Sequence, residues 1–87
     1  MLYIDDVSAG EHRQAFHSAA QRFWQMHQSE KIYVWANGMA PGGLRMGIRA
    51  HEDKRPRSLV VLIGDDPEED ILTALDEWWA DRMEFTR

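Results

Sequence analysis

The chain has no cysteine, only three prolines among its 87 residues, and no apolar run longer than the five residues Leu59–Ile63. Without cysteine there is neither a disulfide framework nor a thiolate metal site, which suits a reducing compartment. The apolar run is far short of the roughly 20 residues that cross a bilayer. The opening MLYIDD turns acidic at once and lacks the basic and apolar regions of a signal peptide, so the expected location is the cytoplasm with no membrane partner. Nucleophilic catalysis has no candidate either, since there is no thiol and no glycine-flanked serine. Gly42-Gly43 matches neither the phosphate loop nor the dinucleotide fingerprint and leads into a strand, so no cofactor is implied.

What is present suits one small domain spanning residues 1–87. The chain is 44% hydrophobic, and a domain of this length buries roughly 60 to 65% of its unfolded surface. Net charge is −5, unevenly distributed: residues 65–87 hold nine acids against Arg82 and Arg87, while residues 1–64 hold six acids against eight bases. An acidic balance disfavours nonspecific binding to nucleic acid or anionic membrane, but it leaves room for a local basic patch.

Leu2 to Ile4 reads as a short strand. Ser8 with Glu11 then gives a capping-box signature for a helix to about Gln28, with Ala15, Phe16, Ala19, Ala20, Phe23, Trp24 and Met26 on one half. Lys31–Ala36 and Leu44–Ala50 alternate as strands, joined by the glycine-rich stretch Asn37–Gly43 read as a long turn. Pairing Ala36 with Leu44 sets Tyr33 across from Gly47, an aromatic over a glycine. Ser58–Ile63 is apolar on both faces and reads as a central strand. Asp66 as cap, Pro67 at the first helical position and Glu68-Glu69 near the positive dipole end open a last helix, whose stripe is Ile71, Ala74, Leu75, Trp78 and Phe85. Arg82 falls inside that stripe and would snorkel or meet a carboxylate.

The expected fold is therefore α+β, in the order β-α-β-β-β-α. It has a mixed four-stranded sheet of order 2-3-4-1, with both helices packed on one face. The other face is then open and carries Tyr33, Trp35, Arg45 and Arg49, extended by Val60 and Leu62. Aromatics with arginine anchor protein interfaces and also build stacking platforms for single-stranded nucleic acid. A second constellation is acidic. LYIDD and LIGDD both end a strand in Asp-Asp, and in order 2-3-4-1 Asp5, Asp6, Asp65 and Asp66 converge where a divalent metal for phosphoryl chemistry would sit. The simpler reading has Asp66 as a helix cap and the others as solvated turn acids. The histidines show no ligand spacing: His12 and His17 are five apart, unlike the four-residue spacing of zinc-binding helices.

Helix, three strands and helix is the order of the double-stranded RNA-binding domain, but that family opens its last helix with lysines. Here Asp65–Asp70 holds five acids in six positions, which excludes it. The leading expectation is a small acidic, non-enzymatic interaction module or inhibitor. It binds another protein through the Trp35 and Arg45 face, or binds a basic surface through Asp76, Glu77, Asp81 and Glu84 on the last helix. In size and charge it resembles phage-encoded antagonists of host defence and other small acidic proteins that block nucleic-acid-handling machines. Self-association through the open face is a further reading. Single-stranded nucleic-acid binding by Tyr33 and Trp35, with Arg45, Arg49, Arg55 and Arg57 near phosphates, is the alternative, and a metal-dependent phosphohydrolase at the Asp pairs comes third.

Overall fold

In the computed structural model, residues 1–27, 31–50 and 53–85 are described, 83–85 by their backbone alone. The expected end of the first helix at Gln28, residue His51, and the side chains of Met83, Glu84 and Phe85 therefore lie outside the description. Strand β1 (Leu2–Asp5) is followed by a 3-10 segment (Val7–His12), helix α1 (Arg13–Met26), strands β2 (Ile32–Ala40), β3 (Gly43–Ala50) and β4 (Arg57–Leu62), and helix α2 (Pro67–Phe85). The result is α+β, with one mixed four-stranded sheet and two helices on one of its faces. No helix among the described residues is long and apolar enough to cross a membrane.

The strand order corrects the expectation. It is β1-β2-β3-β4, with β1 parallel to β2 and the rest an antiparallel meander. β1 runs in the same direction as β4, as expected, but lies at the opposite edge. A strand joined to the next parallel strand by one helix can pair with it directly, and here β1 takes the β2 edge that the β2-β3 hairpin leaves free. β4 is consequently an edge strand. Val61 is buried, but Val60 and Leu62 are 59% and 72% exposed, so apolar residues on both faces of β4 did not signal a central position.

Three local expectations change as well. The Ser8/Glu11 capping box does not form: Gly10 adopts φ 58° and interrupts the chain, so a 3-10 segment precedes α1 and no side chain caps either. The Asn37–Gly43 stretch is mostly strand. β2 continues to Ala40, and a two-residue Pro41-Gly42 turn, with Gly42 at φ 74°, has the proline-then-glycine pattern of a type II turn. A bulge sets Asn37 and Gly38 against the single residue Arg45, since Ala36 pairs with Met46 and Met39 with Leu44. The β2–β3 register is thereby shifted two residues from the expected one, so Trp35, not Tyr33, faces Gly47. A shift of two keeps every side chain on its expected face.

The core lies between sheet and helices. Ile32, Val34, Leu44, Met46 and Ile48 meet Phe16 and Phe23 of α1 and Ile71, Leu75 and Trp78 of α2. Each of the two buried phenylalanines contributes about 1.5 to 3 kcal/mol relative to exposure. The helices also join at their surfaces: Arg22 donates to Glu68 at 2.6 Å and Glu69 at 2.8 Å, and the His27 ring stacks on Trp79 at 4.5 Å. The two carboxylates hold the Arg22 guanidinium further above its ordinary pKa. Met26, assigned to the apolar half of α1, is its last residue and is 56% exposed.

Candidate interaction surface

Up to the bulge in β2, residues of one parity along each strand face the helices, and those of the other parity face away from them. The second set forms cross-strand rows: Tyr3, Tyr33 and Arg49 in one, and Asp5, Trp35, Gly47 and Ser58 in the next. Arg45 beside Val60 follows, and Leu62 closes the β4 end. No helix covers this face among the described residues, and Tyr33, Trp35, Arg45 and Arg49 stand together on it as the alternation predicts.

Its geometry is ordered by contacts within the face. Tyr3 and Tyr33 are stacked, with centroids 4.8 Å apart and planes within 5°. The Arg49 guanidinium sits over the Tyr33 ring at 4.9 Å. Since β1 and β3 flank β2 on opposite sides, Tyr33 is held between Tyr3 and Arg49. The stacking adds about 0.5 to 1.5 kcal/mol beyond area, and an exposed cation–π contact about 0.5 to 1 kcal/mol. Trp35 lies across Gly47, so close that a Cβ there would fall within the indole. Shallow hollows flank the Tyr33–Trp35 ridge, one lined by Tyr3 and Asp5, the other by Arg49 and Pro56.

Tyr3 is the functional candidate that sequence reasoning missed. Its signal was the alternation of Leu2 and Ile4 against Tyr3 and Asp5, which points to the open face only once β1 is placed beside β2.

The Asp-Asp pairs do not converge. With β1 and β4 at opposite edges, Asp5 and Asp6 are separated from Asp65 and Asp66 by three strand spacings, about 14 Å. Asp5 accepts from the Val7 N–H at 3.2 Å, and Asp66 caps α2 by accepting from the Glu69 N–H at 3.3 Å. Asp6 accepts from Arg13 Nε at 2.9 Å and lies 3.1 Å from His17 Nδ1. Partial desolvation pushes the Asp6 carboxyl up, but the Arg13 and His17 hydrogen bonds and charges outweigh it and leave its pKa below the ordinary value. Among the described residues no three metal-ligating side chains gather.

On the helix side, Asp76, Glu77 and Asp81 are exposed on α2. Asp76 lies 4.0 Å from His27 and Asp81 4.0 Å from Arg57, so part of this acidity is matched locally. Arg82 meets a carboxylate as anticipated: its Nε donates to Asp53 at 3.2 Å, its side chain is 12% exposed, and it lies over Trp79 at 5.5 Å. Of the other histidines, His12 lies 3.7 Å from Glu11. Compared with protein families, with curated proteins and with solved structures, the chain matches none of them.

Proposed function

We propose that this chain is a small non-enzymatic module, or inhibitor, that binds another protein through the helix-free face of its sheet. The observation that carries the reading is the stacked Tyr3–Tyr33–Arg49 row beside Trp35, continued by exposed Val60 and Leu62. Aromatic and arginine side chains are the residues that anchor interfaces. Side chains already held against one another also lose less rotamer freedom when a partner docks. The exposed acids of α2 point away from this face and offer a basic partner a second, separate surface on the helix side.

The same geometry weighs against single-stranded nucleic acid. A base stacks on a free ring face, and both faces of Tyr33 are taken, by Tyr3 and by Arg49. One face of Trp35 lies against Gly47, and Asp5 shares its row, which repels phosphates.

The test compares the wild type with a Trp35→Ala, Arg45→Ala double variant as bait in native lysate, with circular dichroism confirming that the variant is folded. A partner recovered by the wild type and lost with the variant is the expected result. Recovery of the same partner by both baits would move the interface off this face. In that case reversal of Asp76, Glu77, Asp81 and Glu84 should weaken binding and its salt dependence, whereas unchanged affinity would show the acidic helix to be merely solvating. Quenching of tryptophan emission by single-stranded oligonucleotides, with a steep salt dependence, would favour the nucleic-acid reading instead.

A further inference from the structure

Among the described residues the outer edge of β4 meets no strand, and beyond its first residue, Arg57, it is not defended as edges usually are. Within Ser58–Ile63 there is no charge, no proline and no bulge, and Val60 and Leu62 are exposed beside it. The ladder fixes which main-chain groups are free. The Ile63 N–H donates to the Gly42 carbonyl at 3.0 Å, and alternate residues of an antiparallel strand point their N–H and C=O the same way. Leu59 and Val61 therefore bond β3, while Ser58, Val60 and Leu62 present theirs outward.

The flanks of this edge carry opposite charge. Lys54 and Arg55 precede it and Asp65 and Asp66 follow it. Lys54, Arg55 and Asp65 are exposed and make no ion pair among the described residues. Such a segment is complementary to itself when a second copy runs antiparallel to it.

We propose that β4 pairs with β4 of a second copy about a two-fold axis at Val60, joining two sheets into one of eight strands. In this register Ser58 faces Leu62 of the second copy and Val60 faces Val60, so all three outward residues exchange main-chain hydrogen bonds, about six in total. Arg55 then runs beside Asp65 of the second copy, and Lys54 beside Asp66, on both sides of the axis. Neighbouring registers leave their end pairs half-bonded and move Arg55 and Lys54 off Asp65 and Asp66 of the second copy. A slip one way sets Leu62 against Pro56, which has no N–H. A slip the other way sets Ser58 against Gly64, whose N–H already donates to Asp70 at 2.7 Å. Asp70 and Asp81, on the flank of α2 nearest this edge, are engaged by Gly64 and Arg57 within the chain. A strand pair buries less than the roughly 1,200 Å² of a standard interface, so the dimer is expected in the micromolar range. Pairing through the edge leaves the Tyr33 and Trp35 faces of both copies uncovered, side by side.

Sedimentation analysis of the full chain from about 1 µM to 1 mM should show a monomer–dimer equilibrium. Val60→Pro removes only an outward N–H and should weaken the dimer at least about tenfold with an unchanged circular dichroism spectrum; Val60→Lys is the companion should proline unfold the strand. Asp65→Arg should weaken the dimer at low salt, and adding Arg55→Asp should restore it, which reads the register directly. The proposal is overturned if the wild type stays monomeric at 1 mM, or if folded Val60→Pro and Val60→Lys dimerise like it. It is also overturned if Trp35→Ala with Arg45→Ala abolishes the dimer, because that would place the contact on the open face.

Discussion

Two glycines of β3 resist a side chain for different reasons, and the difference can be measured. A Cβ at Gly43 would collide with the carbonyl of Val61, main chain of the neighbouring strand, whereas a Cβ at Gly47 would collide with the Trp35 indole, a side chain able to turn away. In Gly47→Ala the indole gives up about 50 to 100 Å² of contact, worth about 1 to 2.5 kcal/mol at 25 cal/mol per Å². Alanine returns about 0.5 to 1 kcal/mol by restricting the unfolded chain, for a net loss near 1 kcal/mol. Gly43→Ala has no such escape: β4 must retreat from β3, at about 3 kcal/mol or more. Urea unfolding followed by circular dichroism gives both numbers, and tryptophan emission should shift to the red in Gly47→Ala alone. A Trp35→Ala background should abolish the cost of Gly47→Ala, because nothing then occupies the space. The reasoning fails if Gly47→Ala costs as much as Gly43→Ala, or if its cost persists without the indole.

Asp6 has a depressed pKa in the folded chain, so its contribution to stability is present above the unfolded carboxylate value, about 3.9, and is lost as pH falls through the lower folded one. The stability difference between wild type and Asp6→Asn should therefore be constant near neutrality and shrink below about pH 4; a difference that grows on acidification would contradict the sign. Arg82→Ala removes a largely buried donor from Asp53, which also accepts from the Ala50 N–H at 3.1 Å, and should cost about 1 to 3 kcal/mol in urea midpoint analysis. Arg82→Lys should be intermediate, and a loss under about 0.5 kcal/mol for the alanine would show the pair to be incidental.

Facing was legible in the sequence, and adjacency was not. Alternation along Ile32–Ala36 and Leu44–Ala50 assigned each side chain to the core or the open face. That assignment survived a two-residue register error because the strand period is two. The error came from Asn37-Gly38, where a bulge and a turn share the same glycine-rich signature. The position of β1 was lost because an apolar pattern reports burial, not partners, and Val60 and Leu62 satisfied the pattern for a central strand while lying exposed at an edge. From that single misplacement followed both the false convergence of the Asp pairs and the omission of Tyr3. The Arg22 pairs with Glu68 and Glu69 span 46 and 47 residues, a separation at which no local spacing rule applies.

The strands differ in how far apart in the chain their partners lie. β2, β3 and β4 zip together through adjacent segments, whereas β1 must find β2 across the whole of α1, and it is held there by four residue pairs. Loop closure of that length is a late and reversible step, so β1 should be the first unit to open, at a free energy below that of global unfolding. Native-state hydrogen exchange should therefore release the Tyr3 amide, which faces β2, before those of Met46 and Ile48. Each such opening takes Tyr3 off Tyr33 and bares the β2 edge, so the aromatic row would form and dissolve with the breathing of a single short strand.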